Sequence, residues 1–177
     1  MGRITASLNI TPDGFCNHDA VVADAEFTRF ATAQVEAAER LLLGRKTYEL
    51  FESYWPEAAR NPAHDPLEYA LGKAIVAIPR TVVSRTLTFS DWEGTEFVSD
   101  ITDFVADGEV LLLGSPSIHS RLASDGRIER FCYLVHPMLP ARGARLFEGS
   151  RSHPSAIRFI KSQSFASGVR VLEYARD

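Results

Sequence analysis

The chain has 177 residues, 45% of them hydrophobic and 24% charged, with a net charge of −4; that is enough apolar material for one substantial core, and no stretch has the composition of disorder. The 19 Lys and Arg are scattered, which argues against a general nucleic-acid binder, although a local basic site for one phosphorylated ligand is compatible with any net charge. No apolar run reaches the ~18 residues of a membrane span, no apolar leader opens the chain, and Cys16 and Cys132 form neither a CxxC pair nor a metal spacing, so a cytoplasmic protein with buried free thiols is expected.

Residues 3–8 alternate loosely and open as a short strand. Thr11-Pro12-Asp13-Gly14 is turn chemistry, with Pro fixing φ and Gly tolerating a positive one. A helix is expected from Asp24, its N-cap, with Phe27, Phe30, Ala31, Val35 and Ala38 at helical spacing. Leu41-Leu42-Leu43 stops at Gly44 and has the character of a buried central strand. A second helix should start at Arg45 or Lys46 and end before Pro56. Asp65-Pro66 supplies an N-cap and a first-turn proline for a third helix, which Gly72 would close.

Of the apolar runs at 74–78 and 81–83, split by Pro79, the second is favoured as the core strand, over 81–84. A strand at 95–98 precedes a short helix near 101–106. Asp107-Gly108 turns into an apolar strand at 110–113, which stops at Gly114 before a helix over 117–123. The last third alternates strands and turns: strands at 131–136, 156–161 and 169–174, a loop at 140–143 and a turn at Ser167-Gly168. The expected architecture is α/β, a mixed, mostly parallel central sheet with helices on both faces and a β-rich C-terminal part, in a single domain over 1–177.

One local event occurs twice: a short apolar strand, a glycine, polar residues, then a helix, as LLLGRKT at 41–47 and VLLLGSPS at 110–117. In open α/β sheets ligands bind beyond the carboxyl ends of strands. A helix N-terminus there offers free N–H groups and partial positive charge, which suits phosphate. Two such turns in one sheet could hold two ends of one dinucleotide. Arg45 and Lys46 sharpen this, because cations in a first turn oppose the helix dipole unless an anion sits beside them. Arg85 adds a cation at another strand end, with Ser84, Thr86 and Thr47 as hydroxyl donors; such a set suits a monophosphate like that on the ribose of NADPH. Each feature alone is better explained by a plain turn or a solvated helix end; it is their order along the chain that points to a dinucleotide.

These motifs resemble the dihydrofolate reductase-like superfamily, and within it the stand-alone form of the C-terminal reductase domain of the bacterial bifunctional deaminase–reductase of riboflavin biosynthesis. The resemblance rests on TPDG at 11–14, LLLGRKTYE at 41–49, VVSRTL at 82–87, VLLLGS at 110–115, LVHPMLPARGARLF at 134–147 and SGVRVLEY at 167–174. It implies NADPH as hydride donor and a homodimer, while the charge and hydropathy already speak against a nucleic-acid or membrane partner. It also implies site positions. Gly44, Arg45, Lys46 and Thr47 would lie along the adenosine phosphates, with Arg45 on the 2′-phosphate. Ser84, Arg85 and Thr86 would line the adenosine ribose. The backbone of Gly114, Ser115, Ser117 and Ile118 would cradle the pyrophosphate. Thr5 and Ala6 would hold the nicotinamide amide, beneath a mobile loop at Asp13 and Gly14. Many relatives have Gly-Gly where this chain has Gly114-Ser115, and an Asp-Glu pair where it has Glu129-Arg130.

The implied substrate is a small heterocycle or carbonyl compound, with 5-amino-6-(5-phosphoribosylamino)uracil first and dihydrofolate second; binding of NADPH without turnover is the non-enzymatic alternative. A reductase also needs a proton source. Glu26, by its spacing to Phe30, lies near the position of the folate reductases' carboxylate, although a first-turn acid is also favoured by the helix dipole alone. His136, before Pro137, is expected to be structural, and Tyr48, Tyr54 and Trp55 either wall a ligand or pack in the core. His18, His64, His119 and His153 have no metal spacing.

Overall fold

The computed structural model describes residues 2–63, 65–147 and 156–177. Strands β1 (Arg3–Ile10), β3 (Arg40–Gly44), β4 (Arg80–Val83), β5 (Thr95–Val98), β6 (Glu109–Leu113), β7 (Arg130–Val135), β9 (Ile157–Ser164) and β10 (Arg170–Arg176) form one sheet in the order β5-β4-β3-β6-β1-β7-β10-β9. The first six strands of that order pair in parallel; β10 is antiparallel to both β7 and β9. Two two-residue strands, β2 (Phe15–Cys16) and β8 (Ala144–Arg145), pair separately. The helices are α1 (Ala25–Glu36), α2 (Arg45–Ala58), α3 (Pro66–Ala77) and α4 (Pro116–Ser124).

The central position of β3 and β6 follows from their composition. Strands buried on both faces carry continuous apolar runs, because side chains alternate between faces and both must be dry. Leu42 and Leu112 point into a cluster with Ile4, Ala6, Ile118, Leu122 and Phe131; Leu41, Leu43 and Leu111 point the other way, into Val35, Tyr48, Leu71 and Ile75. Leu41, Leu42, Leu43 and Leu112 are completely buried, each contributing about 1.5–3 kcal/mol of apolar burial. The resulting layers, helices on both faces of a mostly parallel sheet, are the expected architecture.

Three expectations are corrected. Pro56 does not end α2, which runs to Ala58. Pro56 lies in the last turn, where its missing N–H costs a single helical bond, and the Ala59 N–H still closes on Trp55 O at 2.9 Å. Gly72 does not end α3 but sits buried within it; a Cβ there would lie 3.1 Å from Ala59 N, so the glycine permits the close crossing of α2 and α3. The helix expected near 101–106 is a single 3₁₀ turn, Ile101–Asp103, capped by Asp100. The Asp24 and Asp65 caps are as expected: each carboxylate accepts from first-turn N–H groups.

Candidate functional site

The carboxyl ends of the parallel strands form one rim. Along it stand Ser84 after β4, Gly44 closing β3, Gly114 after β6, the last residues of β1, and His136 after β7. The rim has an opening. β1 pairs with β7 up to Ile10↔Val135, but with β6 only up to Ser7↔Leu113. Beyond Ser7 the β6 side of β1 is therefore unpaired, because β6 turns away at Gly114.

The two glycine turns meet there. Gly114 has φ +64°, and a Cβ on it would sit 2.9 Å from Thr47 Oγ1. Ser115 follows, also left-handed, at φ 54° and ψ 73°, a conformation that costs a non-glycine residue about 1–2 kcal/mol. The Gly44 N–H donates to Ser115 Oγ at 2.6 Å, and the Gly114 N–H donates to Ser7 O at 3.3 Å. A Cβ on Gly44 would collide with Ser115 Oγ and come within 3.2 Å of Ile118 Cδ1. LLLG and LLLGS thus form one cradle built across the β3–β6 pair.

The helices that leave this cradle differ from the others. α1 and α3 have aspartate caps, whereas α2 and α4 have no side-chain cap. The first-turn N–H groups of α2 and α4 are left to solvent or ligand, and each helix brings partial positive charge to the same spot. Arg45 and Lys46 stand exposed on the first turn of α2. Arg45 Nη1 pairs with Glu49 Oε1 at 2.9 Å, one turn on, with both side chains over 40% exposed. Such a pair is weak and yields readily to a phosphate. Arg85 and Thr86 are exposed beside Ser84. Ser84 itself is committed: its Oγ accepts from Leu87 N at 2.8 Å and from Thr86 N at 3.2 Å, closing the turn.

Not every expected residue reaches the rim. Thr5 and Ala6 lie within β1, paired on both sides. Ala6 is fully buried, and Thr5 lines a cleft of about 380 Å³ at the opposite rim, together with Gln34 and Cys132. A larger cleft, about 970 Å³, also opens at that opposite rim between Arg3, Arg127 and Arg176. On the β6 side the backbone left without a β6 partner is that of Asn9, because Ile10, like Leu8, faces β7, where Ile10 O accepts from His136 N at 2.8 Å.

Asp13 and Gly14 form the turn between β1 and β2. Thr11 Oγ1 donates to Asp13 Oδ1 at 2.5 Å, and Asp13 Oδ2 accepts from Ala141 N at 3.2 Å. Asn17 Nδ2 donates to Arg142 O at 3.4 Å, and Arg145 stacks over Phe15 at 4.3 Å. Loops 11–17 and 141–147 are thereby tied into one strap over the rim. Nothing in the sequence pairs these loops, since two-residue strands leave no periodicity.

Glu26 is occupied elsewhere. It is exposed in the first turn of α1, and its Oε2 accepts from Ala166 N at 2.6 Å, pinning the β9–β10 turn. His136 is 1% exposed; its Nδ1 accepts from Val22 N at 3.0 Å and its Nε2 lies 3.0 Å from Asn9 Oδ1. Burial holds its pKa below the usual imidazole value, although Asp24 acts against this. Tyr48 is fully buried in the core, while Tyr54 is exposed and donates to Glu68 Oε2 at 2.7 Å. Cys132 is buried and Cys16 half-buried, and burial pushes their thiols up to about 12 and about 11. No group of potential metal ligands occurs among the described residues, and no helix among them is long and apolar enough to cross a membrane. His64 and His153 lie outside the described residues.

No protein-family model matches the sequence, and neither does any curated protein. The fold does have relatives among solved structures. A protein of Shewanella sp. PV-4 ascribed to riboflavin biosynthesis superposes with a TM-score of 0.71 at 17% identity, over 99% of each chain. A pyrimidine reductase-like protein of Corynebacterium diphtheriae superposes with a TM-score of 0.66 at 12% identity, over 99% of this chain and 92% of that one. The expected architecture, a mixed, mostly parallel central sheet with helices on both faces, is thus the fold of this chain and is shared with both structures.

Proposed function

We propose that this protein is an NADPH-dependent reductase acting on a small heterocyclic or carbonyl substrate, with the ribosylamino-pyrimidine of riboflavin biosynthesis the first candidate. The observation that carries the reading is the joined cradle: two uncapped helix N-termini meet at Gly44, Gly114 and Ser115, beside the exposed cations Arg45, Lys46 and Arg85, of which Arg45 is held by a weak surface pair. This arrangement fits a dinucleotide. Glycine at 44 and 114 lets the two turns close against Ser115 Oγ and Thr47 Oγ1, and the first-turn N–H groups of α2 and α4 beside them have no side-chain cap. The two structural relatives, one ascribed to riboflavin biosynthesis and one pyrimidine reductase-like, favour the same class of chemistry.

In this reading the first turns of α2 and α4 bind the phosphates through backbone N–H groups. Arg45 exchanges Glu49 for the ribose 2′-phosphate, with Lys46 and Arg85 adding to the local potential. The backbone of Asn9, on the side of β1 that β6 has left, orients the nicotinamide amide, three residues beyond Ala6. The strap of loops 11–17 and 141–147 excludes water from the reacting ends. NADPH, when bound, supplies the hydride. Because Glu26 is spent on Ala166, a proton would come from bound water or from the substrate's own surroundings. This disfavours dihydrofolate as the substrate, and it is also what supports the second reading, NADPH binding without turnover.

Titration with NADPH and NADH separates these readings from a mere turn motif. The wild type is expected to prefer NADPH, and Arg45→Ala to lose most of that preference, about ten-fold or more. Equal or absent binding of the two dinucleotides removes the assignment. Steady NADPH consumption with any pyrimidine, pterin or carbonyl acceptor would rule out binding without turnover.

A further inference from the structure

Charge also gathers at the amino-terminal ends of the parallel strands, on the far rim of the sheet from the cradle. There the loop before β6, the turn after α4, the start of β1 and the end of β10 enclose the cleft of about 970 Å³. Arg3, Arg127, Arg130 and Arg176 line it, against the carboxylates of Glu129 and Asp177. Glu109 offsets Arg3 by accepting from its Nε at 2.7 Å. A positive excess remains, in a chain whose net charge is −4.

Two of these cations are held in place by groups that do not neutralise them. Arg127 is half-buried, and its Nη1 donates to Ile101 O at 2.9 Å and its Nη2 to Phe104 O. Two neutral carbonyls fix the guanidinium, while its charge and its remaining N–H groups stay unspent. Arg176 lies against Gly126, where a Cβ would come within 2.4 Å of Nη1 and Nη2. Glycine at 126 therefore makes room for the guanidinium as well as for a turn at φ +67°. Neither Arg176 nor Arg130 pairs with a carboxylate among the described residues. Fixed guanidinium forks without a carboxylate match the oxygens of a phosphate group. Beside them the wall is apolar: Val105 is 80% exposed, and Ala106 and Ala175 are half-buried. The volume is that of a site for a small organic molecule, more than an inorganic anion fills.

We propose that this cleft binds a small phosphate monoester, with Arg127 and Arg176 on the phosphate, Arg130 adding to the local potential, and the organic body against Val105 and Ala106. The site is separate from the dinucleotide cradle and uses none of its residues.

The test is an amide-resolved NMR titration of the whole chain with phenyl phosphate, inorganic phosphate and phenol at constant ionic strength. Phenyl phosphate is expected to shift the amides of Ala106, Gly126 and Arg127, and to bind there more tightly than either of the other two. Arg176→Gln, an exposed change that should leave the thermal midpoint unaltered, is expected to weaken this binding about ten-fold. Arg130→Gln, also exposed, should weaken it about three-fold through the potential alone. Arg45→Ala, in the cradle, should leave these shifts unchanged. Shifts confined to Gly44, Gly114 and Ser115 would assign all phosphate binding to the cradle and overturn the proposal. Phenol binding as tightly as phenyl phosphate would reduce the cleft to an apolar hollow and overturn it too. So would an affinity that neither arginine variant changes.

Discussion

His136 is held by a hydrogen bond on each ring nitrogen, and the donors fix its state. The Val22 N–H can only donate, so Nδ1 is an acceptor, and Nε2 carries the hydrogen toward Asn9 Oδ1. Burial disfavours the charged ring, against the pull of Asp24, so the native pKa lies below that of an exposed imidazole; protonating Nδ1 would also break the bond to Val22. The unfolded chain therefore takes up the proton first as pH falls. The stabilisation is complete above about pH 6.5 and is lost below it, until the native value is passed. A series of urea midpoints from about pH 7.5 to 5 should show this loss in the wild type and a shallower one in His136→Gln; parallel curves would show that another group is responsible. Arg80 poses the opposite problem, a fully buried cation. It donates to Ile75 O, Val76 O and Ile78 O at the end of α3 and stacks 3.8 Å from the centroid of Trp92. Carbonyl dipoles at a helix C-terminus take the place of a carboxylate, and burial lowers its pKa to about 10. The structural role of His136 was legible from its place before Pro137. That of Arg80 was not, since a lone arginine beside a strand reads as surface.

Elements were legible wherever an apolar run met a stop signal. Leu41-Leu42-Leu43 and the run at 110–113 end in glycine, and each is followed at once by a helix. Asp24 and Asp65 start helices because a short acceptor side chain before an amphipathic run has one favourable use. The misreadings at Pro56 and Gly72 share a cause: local breaker chemistry was overridden by packing between α2 and α3. The crossing has a measurable consequence. In an open helix Gly→Ala gains about 1 kcal/mol. At Gly72 the new methyl would press on Ala59 N at 3.1 Å and on Ala58 C at 3.4 Å, and backbone cannot rotate aside. Gly72→Ala is expected to lose about 1 kcal/mol net, read as a lower urea midpoint with an unchanged slope. A higher midpoint would show that α2 can give way. The strap formed by β2, β8 and their loops was invisible in the sequence, because its bonds join distant turns rather than obey a period. The same holds for the Gly44–Ser115 bond, although both residues were picked out singly.

In the whole molecule, protection should follow the strand order. β1, β3 and β6 are paired on both sides and carry the completely buried leucines, whereas β5 and β9 are edges, and β9 is exposed along nearly its full length. Amide hydrogen exchange is expected to be slowest in β1, β3 and β6, proceeding there only through global unfolding, and fastest among the strands in β9. Slow exchange in β9 would mean that something covers that edge. β6 enters the sheet between β3 and β1 although it follows both in the chain, so the two halves of the cradle meet only once this insertion is complete. The collision awaiting a side chain at Gly44 then bears on how such chains can change over generations. A residue larger than glycine at 44 is intolerable while serine stands at 115, and becomes tolerable once 115 is glycine. The two positions should therefore drift as a pair, with the change at 115 first, so an ancestor or descendant with a side chain at 44 is expected to carry glycine at 115.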